Sequence, residues 1–359
     1  MTRKEAFQQH MQNKHFIYPP KLQAGDKVAV LSPSAGLPEI FPEVFDLGLQ
    51  RLRENFGLVP VEYPSTRKMN TPPEERARDI IAAFADSEIK AVICSIGGDD
   101  QIKVLKYLEP EVLRAHPKPF LGYSDATNLH MYLWNLGIVS YYGGAIMTQF
   151  GRYHAMDEYT VESLRYALFQ GGEVEIVPTP EWSDENYRWN EPEKLRLRVP
   201  MFTNPGWKWH NAGRVIEGPA WGGCLEIVDY HLRAHRYLQP LERYKDCVLF
   251  LETSEEMPSA TYVYDVFMGL GERGLLQQFS ALLIGRPKAW EFNQQRSAEQ
   301  KDVYKREQEE AILKALQEYH PSVPVIFNMD FGHTDPQFMV PSGGHIRIDG
   351  IEKRVFVRY

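Results

Sequence analysis

The sequence lacks the features that mark several common classes of protein. Its three cysteines, Cys94, Cys224 and Cys247, are far apart and include no Cys-x-x-Cys pair, which favours small core residues in a reducing, cytoplasmic compartment. No apolar run approaches the roughly 20 residues of a membrane span, and the N-terminus has no apolar core of signal-peptide length. A net charge of −8 argues against a protein whose main function is to bind nucleic acid. We therefore expect neither a membrane nor nucleic acid among its partners.

Motifs for cofactors and metals are missing as well. The chain has no G-x-G-x-x-G and no Walker pattern, so it offers no standard nucleotide-phosphate loop. His231 and His235 share a helix face at i and i+4, but the glutamate of H-E-x-x-H is absent, which favours a solvated or structural pair. No Cys/His cluster has zinc spacing. We expect neither a cofactor nor a metal.

What the chain does have is length and alternation. Its 359 residues predict two domains, and strand patterns alternate with helix patterns at 42–57, 71–86, 99–108 and 125–136, which is typical of α/β crossover units around a mostly parallel sheet. A stretch rich in Pro, Trp and charge follows, and strands reappear after it, with a charged helix at 297–320. The predicted organisation is a polar lead-in over 1–20, an N-terminal domain over 21–168, a connecting segment over 169–212 and a smaller α/β domain over 213–359.

One glycine pair lies at the end of a predicted strand. Gly97-Gly98 in "CSIGGDDQ" precede two aspartates, Asp99 and Asp100, which suit a helix N-terminus and would repel a phosphate. Free backbone N–H groups at such a turn are better suited to a transient oxyanion. The pattern alone nevertheless favours a tight turn and a cap.

The stretch "PFLGYSDATNLHMYLW" (119–134) places Ser124 at a corner between a short strand and an amphipathic helix. Ligands bind at the carboxyl ends of parallel strands, and a serine on such a corner can expose its hydroxyl beside the N–H of Asp125. The sequence is Gly-Tyr-Ser-Asp-Ala rather than G-x-S-x-G. Taken alone, the pattern therefore favours a helix cap over a nucleophile.

A nucleophilic serine needs a base, and the base needs a group that orients it. His333 is the best candidate base, since it follows an apolar strand and a glycine, whereas His345 lies in an alternating strand. Glu252 ends the apolar strand "CVLFLE", where a charge is either paired or functional. Asp246 and Glu226 are its rivals, and spacing alone does not bring these groups together.

Four motifs in this order, "GYSDAT", "WGGCLE", "LFLE" and "FGHTDP", resemble the LD-carboxypeptidase family of serine peptidases, which includes muropeptide LD-carboxypeptidases and microcin C immunity proteins. The resemblance runs from about residue 20 to 359 and implies a Rossmann-like N-terminal domain and a smaller β-rich C-terminal domain, with the active site between them. It implies Ser124 as nucleophile, His333 as base and Glu252 as its orienter, with an oxyanion hole from the N–H groups of Gly98 and Asp125. It also implies a cytoplasmic, metal-independent enzyme that is commonly a homodimer.

The connecting segment and "GRPKAW" resemble the microcin-immunity branch more than the short muropeptide enzymes. That resemblance implies tryptophans stacked on a nucleobase, for which Trp182 and Trp189 are the candidates, with core packing as the equal alternative. Trp207 and Trp209 are expected in the core. Arg286 and Lys288 are the candidate binding residues that would supply positive charge to the substrate.

One departure from that branch concerns the charge after the Glu252 motif. Immunity proteins can carry a basic residue there, facing a phosphate, whereas this chain has Glu255-Glu256. Acidic residues disfavour a phosphate and favour an amine-bearing peptide. The expected activity is a serine carboxypeptidase that cuts an amide near a free carboxylate in a small peptide or peptidyl-nucleotide substrate. The alternative is a non-catalytic small-molecule binder on the same fold.

Overall fold

The structure is a computed structural model that describes residues 16–359. Its strands are β1 (Lys27–Leu31), β2 (Val59–Glu62), β3 (Ile89–Cys94), β4 (Phe120–Gly122), β5 (Ser140–Tyr142), β6 (Glu173–Ile176), β7 (Glu181–Trp182), β8 (Phe202–Thr203), β9 (Lys208–His210), β10 (Val215–Cys224), β11 (Val248–Glu252), β12 (Ala281–Gly285), β13 (Val325–Met329), β14 (Val340–Ser342), β15 (His345–Asp349) and β16 (Arg354–Arg358). Its α-helices are α1 (Pro42–Phe56), α2 (Pro73–Ala85), α3 (Pro110–Ala115), α4 (Thr127–Asn135), α5 (Glu158–Arg165), α6 (Leu225–Ala234), α7 (Ala260–Glu272) and α8 (Ala298–Tyr319).

A large sheet in the order β2-β1-β3-β4-β5-β14-β10-β11-β12-β13-β9 forms the centre of the molecule. Strands β1 to β5 pair in parallel, and so do β10 to β13. The two halves meet at β14, which is antiparallel to β5 and parallel to β10. The halves therefore run in opposite directions. The predicted α/β class with a mostly parallel sheet is confirmed.

A second, antiparallel sheet adds to the strand content of the C-terminal part. Strand β10 has ten residues, and its first half pairs with β15, which continues through β16 to β6. The segment predicted as a connection over 169–212 is thus partly ordered into strands, with β6 in this sheet, β7 and β8 as a hairpin and β9 at an edge of the large sheet. Strands β16 and β13 would otherwise be edge strands with unpaired backbone groups, and β6 and β9 of this segment pair with them.

Helix boundaries follow the expected signals with one exception. Gly57 ends α1 in the left-handed conformation, and Ser297 forms a capping box with Gln300 at the start of α8. The predicted helix at 99–108 is wrong, since two short 3₁₀ turns occupy it. The N–H of Gln101 donates to the Asp125 carboxylate, which holds this segment against the neighbouring turn instead of in a regular helix.

The strands that lead to the candidate site are buried on both faces. Every residue of β4, β11 and β12 is buried, as expected for central parallel strands. The three cysteines are buried as well. Most of the predicted polar lead-in at 1–20 lies outside the described residues. No helix within 16–359 is both long and apolar enough to cross a membrane.

Candidate active site

Ser124 lies on a sharp turn between β4 and α4. Its φ is +62°, a left-handed conformation that a side chain other than glycine adopts only under strain. The N–H of Ser124 donates to the hydroxyl of Tyr142 at 3.1 Å, and the Thr127 hydroxyl donates to the carbonyl of Ser124 at 2.6 Å. The Ser124 side chain caps neither the short turn nor α4. The turn therefore presents the hydroxyl rather than using it for the helix.

The Gly97-Gly98 loop passes beside that hydroxyl. A Cβ on Gly97 would lie 3.2 Å from Ser124 Oγ, so a side chain there would crowd the hydroxyl. Gly98 has a φ of +155°, and a Cβ there would lie 2.3 Å from the hydroxyl oxygen of Ser34. Within the described residues the N–H of Gly98 donates no hydrogen bond to the rest of the chain. It is available to a ligand next to Ser124.

The carboxylate of Asp125 ties this loop to the Ser124 turn. It is fully buried and accepts the N–H groups of Asp100 at 3.0 Å and Gln101 at 2.9 Å. The Ser34 hydroxyl and the Asn128 amide also donate to it. Burial raises the pKa of Asp125 to about 6, although these donors act in the opposite direction. Asp125 thus fixes the loop and the turn relative to each other.

Glu252 and His333 form a buried pair in a second part of the site. Glu252 is the last residue of β11, and its Oε2 lies 2.6 Å from Nδ1 of His333 and accepts the His333 backbone N–H at 3.2 Å. Its Oε1 accepts the hydroxyl of Tyr142 at 2.5 Å. Both oxygens of this buried carboxylate are therefore satisfied. Tyr142 links Glu252 to the backbone of Ser124.

The second nitrogen of His333 also contacts a carboxylate. Nε2 lies 3.0 Å from Oε2 of Glu255, and no hydrogen bond within 16–359 joins Ser124 Oγ to His333. Burial lowers the pKa of His333, but the two carboxylates outweigh it and raise the pKa to about 10. Burial likewise raises the pKa of Glu255, yet His333 outweighs it and lowers that pKa to about 2. His333 is an imidazolium in this arrangement.

A cavity of about 500 Å³ opens onto these groups. Ser124, Gly98, Glu255 and His333 are among the residues that line it. The remaining wall is rich in aromatic rings from distant parts of the chain: Phe41, Tyr187, Trp189 and Phe292. The cavity is large enough for a small peptide or a nucleoside, and a reactive serine would face its occupant.

Two of the four predicted substrate-binding side chains line this cavity. Trp189 does so with its ring against Phe41, at 5.5 Å between centroids. Lys288 does so too, but its Nζ donates to the carbonyl of Asp184 at 2.8 Å. These two remain candidates for contact with a substrate.

The structure places the other two elsewhere. Trp182 is 5% exposed, and the cations of Arg286 and Lys305 lie 4.8 and 4.6 Å from its ring centroid. Arg286 is itself buried and paired with Asp330 at 2.9 Å. Because this ion pair holds Arg286 in the interior, neither residue lines the cavity. Trp182 has the packing role that was its alternative.

The rival residues have other partners. Glu226 accepts the N–H and hydroxyl of Ser254, and His345 lies on β15 with its Nε2 4.0 Å from Glu217. His231 is buried and contacts Asn128 at 2.8 Å, so it is structural. Trp207 and Trp209 pack against the main core, as expected. No cluster of His, Cys, Asp and Glu among the described residues could hold a metal.

Sequence reasoning missed three features of the site. Tyr142 lies in an apolar strand pattern, which gives no sign of its hydrogen bond to Glu252. Sequence spacing gives no sign that the Asp125 carboxylate accepts the N–H groups of Asp100 and Gln101. Glu255 was noted for its charge, but nothing in its spacing indicated a contact with His333.

Comparisons with known proteins identify the family of this chain. Residues 28–143 match the LD-carboxypeptidase N-terminal domain, and residues 217–348 match the LD-carboxypeptidase C-terminal domain. The chain belongs to the LD-carboxypeptidase family. It is therefore a serine peptidase, as the four sequence motifs implied.

Full-length relatives represent both branches of the family. The probable murein peptide carboxypeptidase of Bacillus subtilis is 28% identical, with 95% of this chain and 94% of that protein covered. The microcin C7 self-immunity protein MccF of Escherichia coli is 25% identical, with 97% of each covered. The crystal structure of an MccF-like protein from Streptococcus pneumoniae in complex with AMP is 28% identical, with a TM-score of 0.81 over 93% of this chain and 99% of that one. The predicted domain boundaries at 168 and 213 remain a prediction.

Proposed function

We propose that this chain is a serine carboxypeptidase in which Ser124 is the nucleophile, His333 the general base and acid, and Glu252 the group that orients His333. The observation that carries the proposal is the 2.6 Å contact between Glu252 and Nδ1 of His333, a residue that lines the same cavity as the strained Ser124 turn. A carboxylate on Nδ1 fixes the ring tautomer and leaves Nε2 for the nucleophile. The N–H groups of Gly98 and Asp125 form the oxyanion hole.

The reaction follows from these positions once Nε2 is unprotonated. Nε2 accepts the Ser124 hydroxyl proton while Oγ attacks the amide carbonyl, and the developing oxyanion is stabilised by the two N–H groups. His333 then donates that proton to the leaving amine, which departs as the acyl-enzyme forms. A water molecule, deprotonated by the same nitrogen, hydrolyses the ester and restores Ser124. No metal or organic cofactor takes part.

The charges of the cavity favour a peptide substrate with an amine. Its lining includes five carboxylates, those of Asp184, Glu185, Glu255, Glu291 and Asp335. Its two cations are Lys288, which donates to the carbonyl of Asp184, and Arg188, whose guanidinium lies 4.5 Å from the ring centroid of Phe292. A muropeptide with an ammonium group beside the scissile L,D-amide fits this chemistry, and the resemblance to a murein peptide carboxypeptidase supports it. The corresponding role is peptidoglycan recycling in the cytoplasm, by a homodimer.

A second candidate function is cleavage of peptidyl or aminoacyl adenylates, which would confer antibiotic resistance. The aromatic wall of Phe41, Tyr187 and Trp189 is the observation that favours it, because aromatic rings stack on nucleobases. The MccF-like neighbour bound to AMP supports the same idea. The acidic lining argues against a phosphate-bearing substrate.

A paired hydrolysis assay tests the proposal. An L,D-linked muropeptide tetrapeptide and an aminoacyl-sulfamoyl adenosine are each incubated with the protein, and products are measured by mass spectrometry. We expect cleavage of the tetrapeptide and none by Ser124→Ala. Cleavage of the adenosine compound alone would favour the second function. Binding of either compound without turnover would favour the non-catalytic alternative.

A further inference from the structure

The contact between Glu255 and His333 is not explained by the reaction described above. Nε2 is the nitrogen that must accept the Ser124 proton, yet it lies 3.0 Å from a carboxylate oxygen of Glu255. A carboxylate accepts hydrogen bonds, so Nε2 carries a proton in this pair. Nδ1 carries the other, because it faces Glu252. As it stands, His333 has no lone pair for Ser124.

The two carboxylates that hold His333 differ in their surroundings. The Glu252 side chain is fully buried and has three donors, whereas the Glu255 side chain is 50% exposed to the cavity. Among residues 16–359, His333 is the only group within ion-pairing distance of Glu255. Water reaches the Glu255 carboxylate and screens its ion pair more than it screens a buried one. A ligand cation can therefore compete with His333 for Glu255, whereas the enclosed Glu252 offers no such access.

Charged and titratable groups face this pair from each packed element. They are Glu252 at the end of β11, Tyr142 at the end of β5, Tyr123 before the Ser124 turn, Lys288 after β12 and Asp335 in the loop of His333. Asp335 is engaged by Arg152, and Lys288 by the carbonyl of Asp184. None of these groups offers Glu255 a second cation within 4 Å. A cation brought by a ligand would therefore meet only His333 at ion-pairing distance from Glu255 among residues 16–359.

We propose that Glu255 determines specificity: it occupies Nε2 of His333 in the free protein, and an ammonium group of the bound substrate draws it away. The Nε2 proton then passes to water, and the neutral ring becomes the base for Ser124. Substrates without the ammonium group leave Glu255 on His333 and react slowly. The inference rests on the proposed function, since it requires Ser124 and His333 to act together.

A matched pair of substrates tests the specificity. Two L,D-tetrapeptides are compared that differ only in the residue before the scissile bond, lysine in one and norleucine in the other. We expect kcat/KM to favour lysine by about tenfold, the size of one charge-assisted hydrogen bond. In Glu255→Gln the ratio falls close to one, mainly because the norleucine peptide reacts faster. Glu256→Gln, an exposed neighbour, keeps the wild-type ratio.

A second readout uses no peptide. The rate at which a fluorophosphonate labels Ser124 is measured against pH in the free protein. Since the base must be neutral, labelling rises with pH through the pKa of His333, and Glu255→Gln shifts that rise to lower pH because one carboxylate is lost. Identical pH profiles and identical lysine-to-norleucine ratios in wild type and Glu255→Gln would overturn the inference and leave the proposed function intact. Absence of both hydrolysis and labelling in the wild type would overturn both.

Discussion

The part of the site around Ser124 and the part around His333 are built in different ways. Around Ser124, backbone geometry positions the reactive group, through a left-handed turn and the glycine loop that Asp125 holds in place. Around His333, side-chain charges do so, through Glu252 and Glu255. A backbone arrangement is sensitive to side-chain size and strain, whereas a charged one is sensitive to pH and to ligands. Substitutions in these two parts of the site should therefore have different effects on stability and activity.

The largest expected effect is at the nucleophile itself. Ser124→Ala should lower kcat by about 10⁴-fold or more, because the acyl-enzyme cannot form. Ser124→Gly should be equally inactive but more stable by about 1 kcal/mol, since glycine adopts a positive φ without strain. Stopped assays and urea unfolding measure the two quantities. Equal unfolding free energies for wild type and Ser124→Gly would argue against a strained turn.

The next effect concerns the charged side. Glu252→Gln should lower kcat by about 10⁴-fold, because the ring loses the partner that fixes its tautomer. Burial lowers the pKa of His333, but the two carboxylates raise it, with a net rise to about 10. Loss of the Glu252 charge should lower this pKa, so any residual kcat/KM should begin to rise at a lower pH than in the wild type. A pH-rate profile checks the sign. A rise that moves to higher pH would contradict this account of the pair.

Asp125→Asn tests the link between the loop and the turn. In the wild type the Asp125 carboxylate accepts the N–H groups of Asp100 and Gln101. The amide of the variant accepts fewer hydrogen bonds, so the unfolding free energy should fall by about 2 kcal/mol. A displaced Gly98 should also lower kcat by about 10²-fold, as small shifts in a reacting geometry do. Asp99→Asn is the matched control, since Asp99 is an exposed neighbour. Normal kcat in a destabilised Asp125→Asn would reduce Asp125 to a purely structural role.

The smallest expected effect separates the two tryptophans. Trp189→Ala should raise KM for nucleotide-bearing substrates by about tenfold, because a stacked base is worth roughly 1–3 kcal/mol, and should leave the melting temperature nearly unchanged. Trp182→Ala should instead lower the melting temperature, because the ring is packed between Arg286 and Lys305. Calorimetry together with steady-state kinetics measures both. The reverse pattern would mean that Trp182 reaches the substrate.

Much of the fold was predictable because its signals are local. The Ser124 corner, the glycine that ends α1 and the capping box of α8 are each encoded within a few residues. The approach of Glu252 to Ser124 could not be predicted from local signals. It depends on the pairing of β14 with β5, which joins the two parallel halves and links residues about 200 positions apart. The Glu255 contact depends on a loop conformation, and the burial of Trp182 depends on cations from two separate elements. Neither the Glu255 contact nor the burial of Trp182 can be predicted from sequence spacing.

The site of covalent modification tests the central claim most directly. The protein is treated with a fluorophosphonate at high pH, where His333 is neutral, and the labelled peptide is identified by mass spectrometry. The account predicts a single label on Ser124, abolished in Ser124→Ala and strongly slowed in Glu252→Gln. A label on any other residue, or an undiminished rate in Glu252→Gln, would contradict it.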